Sequence, residues 1–136
     1  MPRICAPTSK SCGRSGLIEV KRLLCVDDSP DMLDILVDLL QDEFIIVGKL
    51  FSGASALAET ANLGPDIILL DVDLGDTNGF LVAGQLKKAG CKAKIVFLSV
   101  LERSDFIQAA LDLGAAGYVF KSQISRDLLN TLHAAV

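Results

Sequence analysis

Two hydrophobic rhythms alternate along this chain. Arg22 to Val26 is a short apolar run that ends at Asp27-Asp28-Ser29-Pro30. Ser29 suits a helix N-cap and Pro30 the first helical turn. Leu33, Leu36, Val37 and Leu40 then recur at i, i+3, i+4, i+7, the stripe of an amphipathic helix, with Asp34, Asp38 and Gln41 on its wet side. A second strand is predicted over Ile45 to Lys49 and a second helix over Ser52 to Ala61, with Gly64-Pro65 as a break. Ile67 to Leu70 is wholly apolar and ends at Asp71. Gly75 to Gly79 reads as a loop and Phe80 to Lys88 as a helix broken by Gly90. Lys94 to Leu98 is a strand ending at Ser99, and Arg103 to Leu113 a helix stopped by Gly114. Gly117 to Phe120 is a short strand ending at Lys121. Ser125 is expected to cap a last helix with Leu128, Leu129, Leu132 and Val136 on its apolar side.

These are five β/α units in strict alternation. Strands that are apolar throughout are buried on both faces, so the fold class is α/β, a parallel sheet with helices on each side. With right-handed crossovers, a doubly wound, flavodoxin-like sheet of order 2-1-3-4-5 is expected. The run from Met1 to Glu19 has no apolar period and is rich in Ser, Pro, Gly and Lys/Arg. The expected organisation is therefore a flexible tail over 1–20 and one domain over 21–136.

Composition narrows the function. Of 136 residues, 51% are hydrophobic, enough for a sizeable core; aromatics are few and Trp is absent, so that core must be mostly Leu, Ile, Val and Ala. A net charge of −4 argues against nonspecific nucleic-acid binding, which needs a Lys/Arg surface. No apolar run reaches the ~20 residues that span a bilayer, and the first twenty lack the apolar middle of a signal peptide. The chain is read as cytoplasmic, with no membrane partner. Cys5, Cys12, Cys25 and Cys91 show no C-x-x-C spacing, and His133 alone cannot complete a zinc set. All four cysteines are read as structural or incidental, Cys25 as a buried small hydrophobe.

Chemistry is expected outside the carboxyl ends of the strands, near the switch in strand order. There stand Asp27 and Asp28, Asp71, Ser99 and Lys121. Three carboxylates close together repel unless a cation sits among them. Mg²⁺ suits oxygen ligands of this kind, and a carboxylate beside it is a candidate nucleophile toward phosphorus. Ser99 and Lys121 would donate to the transferring oxygens. A lone aspartate at a strand end is usually a cap, and a lone lysine a solvated charge. The coincidence of complementary groups at four strand ends is what points to phosphoryl transfer.

The same residues carry a family resemblance over essentially all of Lys21 to Val136. Leu24-Cys25-Val26-Asp27-Asp28-Ser29, Asp66-Ile67-Ile68-Leu69-Leu70-Asp71, Gly79, Val96-Phe97-Leu98-Ser99 and Gly114-Ala115-Ala116-Gly117-Tyr118-Val119-Phe120-Lys121 follow in order. The set resembles the receiver domain of bacterial two-component response regulators. The resemblance implies that Asp71 accepts a phosphoryl group from a phosphohistidine on a sensor histidine kinase or phosphotransfer protein. It implies Mg²⁺ held by Asp28, Asp71 and the backbone carbonyl of Asp73, with Asp27 acting mainly through water. Ser99 and Lys121 would bind phosphoryl oxygens, and Tyr118 would be the switch aromatic, turning inward as Ser99 moves. The signal would leave through the fourth helix, fifth strand and fifth helix, toward a downstream effector or output domain, with a homodimer through that face as a further expectation. The stretch from Val47 to Gly53 and the Gly-Tyr-x-x-Lys pattern look closest to the subgroup usually fused to a helix-turn-helix DNA-binding domain. This chain ends at Val136, directly after the fifth helix, and is expected to bind no nucleic acid itself.

Four positions depart from the family pattern. Leu74-Gly75 replaces a frequent Met-Pro, which predicts a more mobile loop. Val100 replaces a small residue and is expected to crowd Asp71. Ser122 replaces a frequent Pro, so no cis-proline turn is available. Asp73 and Leu101 flank the water that would hydrolyse an acyl phosphate, and Leu101 cannot orient it, which predicts a long-lived phosphoryl state. Two rivals stand beside this reading. A phosphate-independent pseudo-receiver would retain the fold but never take phosphate. A haloacid-dehalogenase-like phosphatase resembles Asp71-Val72-Asp73, although its second acidic pair should follow the lysine rather than precede it.

Overall fold

The computed structural model describes residues 20–100 and 102–135. The elements are β1 (Arg22–Val26), α1 (Pro30–Leu40), β2 (Ile45–Leu50), α2 (Gly53–Leu63), β3 (Ile67–Asp71), α3 (Gly79–Lys88), β4 (Lys94–Ser99), α4 (Ser104–Asp112), β5 (Gly117–Phe120) and α5 (Ile124–Ala135). They form one parallel sheet in the order β2-β1-β3-β4-β5, as the unbroken apolar strands predict. Of the expected tail, only Val20 falls within the described residues.

Strand pleating sends successive side chains to opposite faces, and so divides the core in two. Leu23, Cys25, Ile67, Leu69, Val96, Leu98 and Val119 meet Leu33, Leu36 and Leu40 of α1 and Leu128 and Leu132 of α5. Leu24, Val26, Ile68, Leu70, Ile95 and Phe97 face the other way, against Ala56 of α2, Val82, Ala83 and Leu86 of α3, and Ala110 of α4. Cys25 is fully buried in the first of these two layers, and burial first of all pushes its thiol up to about 12, so it behaves as a small hydrophobe.

Ser29 caps α1 as expected, accepting the Met32 N–H. The last helix differs. Ser125 is not its cap but an exposed residue of its first turn. The chain enters α5 through a 3₁₀ turn at Lys121–Gln123, which leads straight into the helix, so no side-chain cap is called for at Ser125. Val136, expected on the apolar side of α5, lies outside the described residues.

No helix is long and apolar enough to cross a membrane among the described residues.

Candidate functional site

The parallel sheet lays the carboxyl ends of β1, β3, β4 and β5 side by side, and each delivers the side chain that closes its apolar run. Val72 N–H donates to the Leu98 carbonyl at 2.9 Å, so β3 and β4 stay paired to the last residue before the site. Asp27, Asp71 and Ser99 are all buried, at 0%, 4% and 3% exposure, while Asp28 is exposed.

Carboxylate oxygens of Asp27, Asp28 and Asp71 lie within 4.8 Å of one another. Lys121, at the end of β5, places its Nζ 3.0 Å from Asp71 Oδ2 and 2.9 Å from Asp27 Oδ2. The first contact is a hydrogen bond. The second is an ion pair whose angles miss those of a hydrogen bond, so charge rather than alignment joins the enclosed Asp27 oxygen to the ammonium. Asp27 Oδ1 accepts the Ser29 N–H at 2.9 Å. Both oxygens of Asp27 are thus engaged by the protein. Asp71 Oδ1 accepts the Asp73 N–H at 3.3 Å.

Burial pushes the Asp71 carboxyl up to about 6; the Lys121 ammonium opposes that rise and the charge on Asp27 adds to it. Burial works against the charge of Lys121, yet its contacts with Asp27 and Asp71 hold it above the ordinary lysine value. The site thus gathers more acidic than basic side chains. Its donors are all oxygens, which is the set a hard divalent cation takes.

Asp28, Asp71, Asp73, Ser99 and Lys121 line one cavity of about 180 Å³, so the structure brings together the strand-end residues singled out above. Val100 lines it as well and is 72% exposed. Leu101, expected to govern hydrolysis, lies outside the described residues. A roomier cavity of about 560 Å³ opens at the amino ends of the strands, near Lys21, Asp66 and Lys94, far from these carboxylates. Its walls include Leu57, Leu86 and Pro65 and lack the acidic cluster, so the smaller cavity is the one with chemistry in it.

Sequence reasoning missed two residues here. Phe106 of α4 lines the cavity, packed edge-on to Phe80 at 5.7 Å, with the Arg103 guanidinium 4.7 Å over its ring. A helical aromatic at that spacing reads as ordinary core. Asp76 accepts the Gly53 N–H at 3.0 Å and the Ala54 N–H at 3.2 Å, joining the β3–α3 loop to α2. Its partner is a helix end 23 residues earlier, which no local pattern encodes.

Two glycines explain themselves. A Cβ on Gly79 would run into the carbonyl oxygen of Asp71, so the loop can return beneath Asp71 only without a side chain. Gly75 has φ +80°, a conformation that glycine adopts freely and proline cannot.

Tyr118 of β5 is half-buried beside the cluster that includes Phe97 and Ala110. Its hydroxyl is enclosed without a hydrogen-bond partner among the described residues, rather than wet.

A doubly wound sheet of this order, with paired acidic groups after β1, an aspartate closing β3 and a lysine after β5, is the arrangement of a receiver domain. The response regulator receiver domain family matches residues 23–133, and the chain belongs to it. It is 30% identical over 119 residues to the nitrate/nitrite response regulator protein NarL of Escherichia coli strain K12, covering 86% of this chain and 55% of that protein. It is 29% identical over 117 residues to the transcriptional regulatory protein YvfU of Bacillus subtilis strain 168, covering 85% and 58%. The chain thus spans little more than half the length of these relatives. Among solved structures, a two-component response regulator of the LuxR family from Aurantimonas sp. SI85-9A1 shares the fold, with a TM-score of 0.80 at 24% identity over 85% of this chain and 84% of that one.

Proposed function

We propose that Asp71 accepts a phosphoryl group from a phosphohistidine on a sensor histidine kinase or phosphotransfer protein, with Mg²⁺ bound beside it. The observation that carries this reading is the charge imbalance at one sheet edge: three carboxylates lie within 4.8 Å of one another, and Lys121 pairs with two of them, Asp27 and Asp71. Such an arrangement favours a further cation, and the all-oxygen donor set suits Mg²⁺. Asp28 and Asp71 would hold it directly, with the backbone carbonyl of Asp73. Asp27, already engaged by Lys121 and Ser29, would act through water. When bound, the ion neutralises charge on the transferring oxygens.

The chain's own groups supply the rest. A carboxylate oxygen of Asp71 forms the new bond to phosphorus. The phosphorus–nitrogen bond to the donor imidazole breaks, its electron pair stays on that nitrogen, and a proton from solvent restores neutral imidazole. The product is an acyl phosphate on Asp71. Lys121 and Ser99 donate to its oxygens. The chain acts as a phosphoacceptor rather than a turnover enzyme, and Ser99 and Tyr118 relay the change to the surface made by α4, β5 and α5, where an effector or output domain docks.

Incubation with an autophosphorylated histidine kinase and Mg²⁺ tests this. Label should move to the chain, and neither Asp71→Asn nor a sample treated with chelator should receive it. Label transfer to Asp71→Asn at the wild-type rate would place the acceptor elsewhere.

A further inference from the structure

Helix α2 is capped twice. Its own Ser52 accepts the Ser55 N–H at 3.1 Å, the local cap that a helix ordinarily carries. Asp76 then takes the Gly53 and Ala54 N–H groups, one on each carboxylate oxygen, from the loop that follows Asp71. The two segments are close-packed as well as hydrogen-bonded: a Cβ on Gly53 would collide with Thr77 Cγ2. The Gly53 N–H holds the Asp76 carboxyl below the usual carboxylate range, so the group meets the positive end of the helix as an anion.

The loop has a physical need for such an anchor. Gly75 stands where the resemblance leads one to expect proline, and a glycine leaves the backbone free. Inside the loop, Gly75 N–H donates to Asp73 Oδ1 at 3.1 Å, Leu74 N–H donates to the Thr77 carbonyl at 3.1 Å, and Asp73 bridges Asn78. These bonds give the loop its internal shape. The Asp76 carboxylate fixes where its outer limb stands against the rest of the sheet edge. That placement matters because Asp73 lines the acidic cavity, and a Cβ on Gly75 would lie only 3.3 Å from Asp28 Oδ2.

We propose that Asp76 is a positioning residue for phosphoryl acceptance, bolting the β3–α3 loop to the amino end of α2 and so holding the Asp73 carbonyl where the metal ion takes it. This inference rests on the reading of Asp71 as an Mg²⁺-dependent acceptor. The second cap serves the loop, and Ser52 serves the helix.

The two roles separate in a pair of variants of the full chain, Asp76→Ala and Ser52→Ala. Mg²⁺ affinity is measured by calorimetric titration, and acceptance of phosphate from phosphoramidate by intact mass across a range of Mg²⁺. Groups that orient metal ligands typically matter about tenfold, so Asp76→Ala should weaken Mg²⁺ binding about tenfold. It should slow acceptance at low Mg²⁺ and recover at saturating Mg²⁺. Asp76→Asn, which keeps one acceptor oxygen, should fall between. Ser52→Ala should lower thermal stability yet bind Mg²⁺ as the wild type does. Wild-type Mg²⁺ affinity in Asp76→Ala, or equal loss in both variants, overturns the role of Asp76 while leaving the acceptor reading intact. A wild-type chain that binds no Mg²⁺ and takes no phosphate overturns the acceptor reading, and this inference with it.

Discussion

Lys121 Nζ lies 3.0 Å from Asp71 Oδ2 across 50 residues of sequence, and the same ammonium is 2.9 Å from the buried Asp27. One lysine thus balances two enclosed carboxylates. Lys121→Ala should destabilise the metal-free protein by about 3 kcal/mol, because it leaves Asp27 buried and unpaired. The same change removes a cation from beside the acidic cluster, so under the proposed reading Mg²⁺ should bind more tightly while phosphate acceptance falls. Urea unfolding and Mg²⁺ titration of one variant check both signs.

The raised Asp71 value sets a pH dependence for the metal-free fold. Its carboxyl is near 3.8 when unfolded and about 6 in the native site, so the native state holds its proton over that window. Stability from this group is fully present below 3.8 and is lost as pH rises through about 6. Asp71→Asn mimics the neutral form and should stabilise the metal-free protein by about 1–3 kcal/mol at pH 7.5, an advantage that shrinks toward pH 4. Urea midpoints at pH 4.5 and 7.5 in chelator measure it. An advantage that grew on acidification would contradict the electrostatic account.

The enclosed hydroxyl of Tyr118 has no partner among the described residues. Leaving such a group unpaired is unfavourable, so Tyr118→Phe should raise stability by about 1 kcal/mol. Under the switch reading, the variant should also lose coupling between phosphorylation and the α4–β5–α5 surface. Hydrogen exchange at β5 with and without a phosphoryl mimic reads that coupling.

The β3–α3 loop tolerates little. Gly79→Ala drives a Cβ against the Asp71 backbone carbonyl, which cannot swing away as a side chain would. Gly75→Pro restores a residue frequent in the family, but here it meets φ +80° and removes the N–H that donates to Asp73. Each should cost about 3 kcal/mol or more, visible as a lowered unfolding midpoint.

Much of this was legible because a parallel sheet turns sequence position into spatial position. Asp71, Ser99 and Lys121 each close an apolar run, and paired strands bring such ends together whatever lies between. Ser125 misled for a local reason: a serine before a leucine-rich run looks like a cap, but a 3₁₀ turn from Lys121 already leads into the helix. Asp76 was illegible for the opposite reason. In a loop of polar and small residues it reads as turn chemistry, and its meaning lies in two N–H groups more than twenty residues away. That same contact ties the outer limb of the loop holding Gly75 to α2.

The most direct test is the mass of the intact chain after exposure to phosphoramidate and Mg²⁺, with Asp71→Asn alongside. One added phosphoryl group on the wild type, mapped to Asp71 and absent from the variant and from chelator-treated samples, is the predicted result. A wild-type chain that gains no mass from phosphoramidate, and none from a phosphorylated histidine kinase either, would contradict the account and leave a phosphate-independent interaction module in its place.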